Sequence, residues 1–167
     1  VELDAVKLNN VLEKVTLPGR MQIVCEQPLA MVDVAHNSHA INYLLNTIES
    51  SSRFSDINEI NLVVGMMKDK DIKQSLQLFV GKVANWYLGD IPGNERAAKA
   101  VYLAEVLKEL GEENIHVFDT IGEAWRSAKK NVKESQKVTN QNQTQSSLLL
   151  GVGSFYTVAE ILNQEEV

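Results

Sequence analysis

Residues 29–50, LAMVDVAHNSHAINYLLNTIES, contain the change of pattern that decides the fold. The run from Leu29 to Val34 is short and apolar, as is typical of a strand. Residues 38–50 carry apolar side chains at helical spacing, namely Ile41, Leu44, Leu45 and Ile48. The polar segment between the two runs therefore lies where a strand ends and a helix begins.

The same order of strand and helix recurs along the chain. Further strands are predicted at 60–65, 83–88, 115–118 and 148–152, and further helices at 4–15, 70–80, 95–110, 120–134 and 154–162. Two apolar runs, Met21–Glu26 and Leu29–Val34, flank Gln27-Pro28 and predict an antiparallel hairpin. Strands that alternate with helices favour a mostly parallel sheet, and continuous apolar strands indicate helices on both faces. The prediction is a three-layer, Rossmann-like α/β domain with a six-stranded mixed sheet.

Composition limits the classes of function. A chain of 167 residues with 44% hydrophobic and 23% charged residues fits one globular domain. The net charge of −6 argues against nucleic-acid binding. The single cysteine, Cys25, excludes an intramolecular disulfide and favours a reducing compartment, so we expect a cytoplasmic protein. Cys25 lies in an apolar run typical of a core residue, and no run is long enough to span a membrane.

Local signals mark several boundaries. Gly111 is expected to follow a helix as its C′ residue, and Thr120 to Glu123 form a capping-box pattern. Residues 135–147 are rich in Gln, Asn, Thr and Ser, which predicts a surface loop outside the core.

Polar and glycine-containing segments follow the predicted strands. They are Asp33–His39, Gly65–Asp71, Gly89-Asp90, Asp119 and Gly151–Tyr156. Parallel sheets bind ligands at the carboxyl ends of their strands, so these segments predict one ligand-binding edge.

Asp33 and His36 are the strongest candidates at that edge. A carboxylate at a strand end can accept ribose hydroxyls, and a histidine three residues later can face phosphate beside a helix N-terminus. The alternative is that Asp33, Asn37 and Ser38 only cap the helix. His39 is expected to be a surface residue of the first helical turn.

Arg20 precedes Asp33 by 13 residues, and the hairpin can bring the two together. An arginine there can bind phosphate or stack on a base, although an ordinary surface arginine is the alternative. Gly151-Val152-Gly153-Ser154 permits close approach of a ligand, but Tyr156 replaces the third glycine of a dinucleotide fingerprint. The loop Lys68-Asp69-Lys70-Asp71 is typical of a solvated loop with a helix cap.

Other chemistry is missing from the sequence. It contains no G-x-x-x-x-G-K-[ST] phosphate loop, no Cys/His metal cluster and no assignable Ser/His/Asp set. The chain is therefore interpreted as a binding half rather than a complete catalyst.

Four segments together resemble the folylpolyglutamate and dihydrofolate synthases of the Mur-ligase group. Leu17–Gln22 resembles their PGR(F/M)Q segment, and Asp33–Asn37 their D(V/G)AHN segment. Gly65–Asp71 is similar to GxxxDKD, and Gly153–Glu160 to GSxYxVAE. Ser38 replaces a proline often found after AHN, a change that only loosens the first helical turn.

The resemblance implies a Mur-ligase C-terminal domain over residues 1–167, with 1–16 as an entering linker or helix. Such enzymes use ATP to phosphorylate a pteroate or folate carboxyl group, which the amine of L-glutamate then attacks. The phosphate loop and the Mg²⁺ ligands are expected in a covalently linked N-terminal domain that this chain lacks. The expected substrates are dihydropteroate or folate/tetrahydrofolate, the expected state is a monomer, and the chain alone is expected to be inactive.

By resemblance, Arg20, Asp33 and His36 bind ATP, while Ser154 and Tyr156 lie on the glutamate side. No residue is assigned as catalytic, although His36 is a candidate for the cleft, and Lys68, Asp69 and Asp71 have no assigned role. Two alternatives stay open: a peptidoglycan-precursor Mur ligase, and a non-catalytic Rossmann-like nucleotide-binding module. The Gly153–Glu160 segment favours the folate branch over the first.

Overall fold

The computed structural model describes residues 17–138 and 146–165, and within them six strands and five α-helices form three layers. The strands are β1 Gln22–Glu26, β2 Leu29–Asp33, β3 Ile57–Val64, β4 Val83–Gly89, β5 Ile115–Phe118 and β6 Ser146–Val152. The helices are α1 Ser38–Ser50, α2 Ile72–Gln77, α3 Ala100–Glu109, α4 Ile121–Val138 and α5 Phe155–Glu165.

The sheet has the order β1-β2-β6-β3-β4-β5. β1 pairs antiparallel with β2, and every other pair is parallel. The last strand in the sequence, β6, lies in the middle of the sheet between β2 and β3. The predicted six-stranded mixed sheet with an N-terminal hairpin is confirmed.

Each face of the sheet carries its own apolar core. Successive strand residues point to opposite faces, so Leu62 of β3 packs in the core with α1, α2 and α3, whereas Val63 packs in the core with α4 and α5. Trp86 and Tyr87 of β4 divide between the two cores in the same way. Burial of each large apolar side chain stabilises the fold by about 1.5–3 kcal/mol, so both helical layers are held firmly on the sheet.

The predicted helix at 95–110 is wrong at its start, because α3 begins at Ala100. Ala97 instead forms an isolated antiparallel bridge with Met67, and the Ala98 N–H donates to the Met66 carbonyl at 2.8 Å. The carboxylate of Asp90 accepts the Ala100 N–H at 2.7 Å, which supplies the start of the helix from ten residues upstream. The helix predicted at 70–80 is likewise shorter, as α2 ends at Gln77.

The predicted surface loop at 135–147 is wrong at both ends. Helix α4 continues to Val138, and β6 begins at Ser146. Lys, Glu and Gln are good helix formers, which lets α4 extend into a polar segment. Ser147 is drawn into the sheet by its pairing with Glu59 of β3. Residues 139–145 and the helix predicted at 4–15 lie outside the described residues.

The smaller boundary signals agree with the structure. The Thr120 hydroxyl accepts the Glu123 N–H at 3.2 Å, and Gly111 follows α3 with a φ of +90°. Cys25 is half-buried and packs at the edge of the core beneath α4 and α5. No helix within residues 17–138 and 146–165 is long and apolar enough to cross a membrane.

Candidate functional site

Three strands end side by side at the carboxyl edge of the sheet. Val152 of β6 is in register with Asp33 of β2 on one side and with Val64 of β3 on the other. Gly153, which follows β6, has a φ of +120°, and a Cβ at this position would overlap the Gly65 carbonyl oxygen. Only glycine therefore allows the segments after β6 and β3 to pack this closely.

Asp33 is a clamp between two backbone segments. Its side chain is only 5% exposed. One carboxylate oxygen accepts the Met21 N–H at 2.9 Å, and the other accepts the Ala35 N–H at 2.7 Å. The alternative, in which Asp33, Asn37 and Ser38 only cap the following helix, holds for Asn37, whose side chain accepts the Ala40 N–H at 2.9 Å. It does not hold for Asp33, whose carboxylate bonds Met21 and Ala35 instead. Each Asp33 oxygen retains a further lone pair for a ligand hydroxyl.

The loop before β1 is held against the end of β2. The Val34 N–H donates to the Gly19 carbonyl at 2.8 Å. Gly19 has a φ of +71°, and a Cβ there would lie 2.9 Å from the Val34 side chain, so the loop requires glycine. Met21 also has a positive φ, of 41°, a strained backbone state for a residue with a side chain. The hydrogen bond from Met21 to Asp33 stabilises this conformation and places Arg20 at the sheet edge.

Arg20 and Asp33 line one groove, as the hairpin predicted. The groove has a volume of about 400 Å³, and its other walls are Met21, His39, Ala40, Tyr43 and Leu44. Within the described residues, no carboxylate forms an ion pair with the Arg20 guanidinium. The groove therefore offers a positive charge and a hydroxyl-accepting carboxylate beside an aromatic ring.

His39 and Tyr43 are groove residues that sequence reasoning missed. His39 is exposed, as predicted, yet its side chain forms part of the groove wall. Tyr43 is 69% exposed although it is a large aromatic residue. Residues four apart lie on the same helix face, so His39 and Tyr43 point to the same side of α1. Because α1 begins close to Asp33, this spacing could have predicted that both residues line the groove.

His36 is half-buried and does not line the Arg20–Asp33 groove. Its Nδ1 lies 2.8 Å from the Val34 carbonyl oxygen, and because a carbonyl only accepts, Nδ1 is the donor. In the neutral ring Nε2 is then an acceptor for a ligand proton. The ATP-contacting role of His36 stays a prediction.

Ser154 is the cap of α5. Its hydroxyl accepts the Thr157 N–H at 3.0 Å and lies 2.8 Å from the Thr157 hydroxyl, which itself donates to the Gly65 carbonyl. Ser154 therefore donates to Thr157 and is buried, so the structure assigns it a capping role that the motif did not predict. Tyr156 and its neighbour Phe155 are exposed on the first turn of α5. The glutamate-side roles of Ser154 and Tyr156 stay predictions.

The loop after β3 is fixed by its own side chains. Lys68 donates to the Glu95 carbonyl at 2.8 Å, Asp69 pairs with Lys70 at 3.4 Å, and Asp71 caps α2 through the Gln74 N–H. These contacts agree with the solvated loop and helix cap predicted for this segment. In residues 17–138 and 146–165, no group of three or more His, Cys, Asp or Glu residues is placed to hold a metal ion.

The fold is an α/β domain with a mixed six-stranded sheet, and its polar segments and glycine turns lie at the carboxyl ends of the parallel strands. Residues 19–139 match the family of the Mur ligase, glutamate ligase domain, and the chain belongs to this family. The predicted resemblance is thereby confirmed at the level of the family.

Similar proteins share this domain as part of a longer chain. The dihydrofolate synthase/folylpolyglutamate synthase of Buchnera aphidicola subsp. Schizaphis graminum is 33% identical over 163 residues, which cover 98% of this chain and 35% of the relative. The Yersinia pestis folylpolyglutamate synthase/dihydrofolate synthase complexed with AMPPNP and Mn ion has 33% identity and a TM-score of 0.76, over 100% of this chain and 36% of that one. A bifunctional folylpolyglutamate synthase/dihydrofolate synthase with Mn, AMPPNP and L-glutamate bound has 32% identity and a TM-score of 0.76, with the same coverage. The chain therefore spans about a third of the length of these proteins.

Proposed function

We propose that residues 1–167 form the C-terminal domain of an ATP-dependent ligase that adds L-glutamate to dihydropteroate or folate/tetrahydrofolate through an acyl phosphate. Its family and the names of its relatives support the reaction class. The observation that carries the proposal is the Asp33 clamp, which fixes the loop of Arg20 so that Arg20 and Asp33 line the same groove. A covalently linked N-terminal domain with a phosphate loop would supply the other half of the site.

The groove residues suit the parts of a nucleotide. The Arg20 guanidinium can donate two parallel hydrogen bonds to phosphate oxygens, and the Asp33 carboxylate can accept ribose hydroxyls on its remaining lone pairs. His36 would face phosphate, and Ser154 and the exposed Tyr156 would lie on the side of the incoming glutamate. A bound Mg²⁺ would neutralise the phosphate charge, and its ligands would come from the linked domain.

The remaining partners follow from this assignment. The substrates would be dihydropteroate or folate/tetrahydrofolate, L-glutamate and ATP, in a cytoplasmic monomer that binds neither nucleic acid nor membrane. Ligase assays of the full-length protein with each pterin substrate distinguish dihydrofolate synthesis from polyglutamylation. Turnover of a peptidoglycan precursor instead would show that the acceptor class is wrong.

Arg20→Ala in the full-length enzyme tests the nucleotide site. We expect the KM for ATP to rise about tenfold or more, because a charge-assisted hydrogen bond contributes about 1.5–3 kcal/mol. Arg53→Ala is the matched control, since Arg53 is an exposed arginine paired with Glu26 outside the groove. An unchanged KM for ATP in Arg20→Ala would exclude this arginine from nucleotide binding.

A further inference from the structure

A second cavity lies at the opposite, amino-terminal end of the parallel strands. It has a volume of about 340 Å³ and lies on the sheet face that α4 covers. Glu59, Asn85 and Ser147 line it, and each lies within the first three residues of its strand. It is therefore separate from the groove at the carboxyl edge.

The floor of this cavity is a chain of hydrogen-bonded amides. Asn61 and Asn85 are direct neighbours in the β3–β4 register, and Asn85 donates to the Asn61 side-chain carbonyl at 2.8 Å. Asn61 in turn donates to a Glu59 carboxylate oxygen at 3.1 Å. Asn61 is only 2% exposed and lies between the apolar residues Ile60 and Leu62 of β3. Buried amides are costly in such a position unless they are hydrogen-bonded, so this chain sets the polarity of the cavity.

The cavity has unused hydrogen-bond acceptors. In the described part of the chain, neither the second carboxylate oxygen of Glu59 nor the side-chain oxygen of Asn85 has a partner. One wall is aromatic, because Tyr87 stacks on His116 with ring centroids 5.0 Å apart. The Tyr87 hydroxyl accepts a hydrogen bond from Asn131 of α4 at 3.1 Å, which joins this wall to the helix.

The charge of the lining selects the class of ligand. Glu59 and Glu134 are its carboxylates, and its described residues include no lysine or arginine. Glu134 lies 4.0 Å from the Lys130 ammonium, so Glu59 is the carboxylate that has no cation partner within the described residues. Anions such as nucleotides and glutamate are therefore disfavoured here, in contrast to the groove beside Arg20. A positively charged donor satisfies both the net charge and the unused acceptors, since an ammonium group has three donors and no acceptor.

We propose that this cavity binds a small organic amine as its ammonium cation. The ammonium group donates to the Glu59 carboxylate and the Asn85 oxygen. The alkyl part of the ligand packs along Val132 of α4, which lines the cavity. The volume is at the lower end of ligand pockets, which suits a short aliphatic amine.

Three probes of equal carbon number test the charge preference: 1,4-diaminobutane, 1,4-butanediol and succinate. Calorimetric titration of the 167-residue chain is expected to show saturable binding of the diamine at least about tenfold tighter than the diol, with no binding of succinate. The side-chain amide signals of Asn61 and Asn85 should shift in NMR spectra when diamine is added. Absence of saturable diamine binding, or diol binding of equal strength, overturns the proposal.

Two substitutions locate the binding. Glu59→Gln keeps the shape and removes the charge, so diamine affinity should fall about tenfold or more. Glu105→Gln, at an exposed position of α3 on the opposite face of the sheet, should leave affinity unchanged. Unfolding curves verify that each variant is folded, and retention of full affinity in Glu59→Gln excludes this cavity as the amine site.

Discussion

At the scale of single residues, Asp33 combines an architectural and a ligand-facing role. Its carboxylate holds the N–H groups of Met21 and Ala35, while its side chain also lines the groove with Arg20. The motif predicted the ligand-facing role alone. The clamp was not predictable, because it joins residues 12 apart whose contact depends on how the hairpin is placed.

Asp33→Ala should therefore unfold more easily than the wild type. Loss of the carboxylate leaves two largely buried N–H donors without partners, so we expect a loss of about 2–4 kcal/mol in the free energy of unfolding. Urea denaturation followed by circular dichroism measures it. Asn37→Ala, which removes only the cap of α1, should lose about 1 kcal/mol and serves as the comparison.

Asp90 links stability to pH. Partial burial by itself raises the pKa of the Asp90 carboxyl. The hydrogen bonds that it accepts from Lys99 and the Ala100 N–H, together with the positive charge of Lys99, outweigh this effect. The pKa of Asp90 is therefore lowered from the usual 3.8. A lowered folded-state pKa contributes stability that is present above the unfolded pKa and is lost as the pH falls through the folded value.

Asp90→Asn is accordingly expected to be less stable than the wild type near pH 7, with the difference shrinking as the pH falls below about 3.8. Urea midpoints of both proteins between pH 2 and 7 test this expectation. A difference that is constant across that range would show that the Asp90 charge contributes nothing to folding.

At the scale of elements, Gly153 sets how closely the segments after β6 and β3 approach. Gly153→Ala should destabilise the fold by about 3 kcal/mol or more, because both the positive φ and the overlap with Gly65 oppose a side chain. Gly93→Ala is the matched control, because Gly93 also has a positive φ, of +67°, but a Cβ added there would have no atom within 4 Å. This variant should therefore lose only the backbone strain of about 1–2 kcal/mol. Equal losses in thermal or urea denaturation would contradict the packing argument.

The type of each element was predictable, whereas several boundaries were not. Periodicity identified α1 over residues 38–50 because its apolar face faces a core directly. The start of α3 depended instead on a carboxylate ten residues upstream, and the start of β6 on pairing with β3. Boundaries set by partners distant in sequence carry no local signal, and this explains the errors at residues 95–99 and 146–147.

At the scale of the whole molecule, the groove beside Arg20 is half of a proposed site. The isolated chain should therefore show no ligase activity with ATP, glutamate and either pterin substrate, and should bind ATP more weakly than the full-length protein. Phosphate release and amide formation measure the first, and titration calorimetry the second. Turnover by the 167-residue chain alone would overturn the two-domain proposal.

The sequence by itself determined the α/β class, the hairpin, the burial of both sheet faces and the edge at which polar segments collect. These properties follow from periodicity and composition, which act over a few residues. Only the tertiary structure decided that β6 inserts between β2 and β3, that Asp33 clamps the Arg20 loop, and that His39 and Tyr43 complete the groove. It also decided that Asn61, Asn85 and Glu59 meet at the opposite end of the strands. Each of these depends on contacts between distant segments, whose pairing is set by the packing of the two cores as a whole.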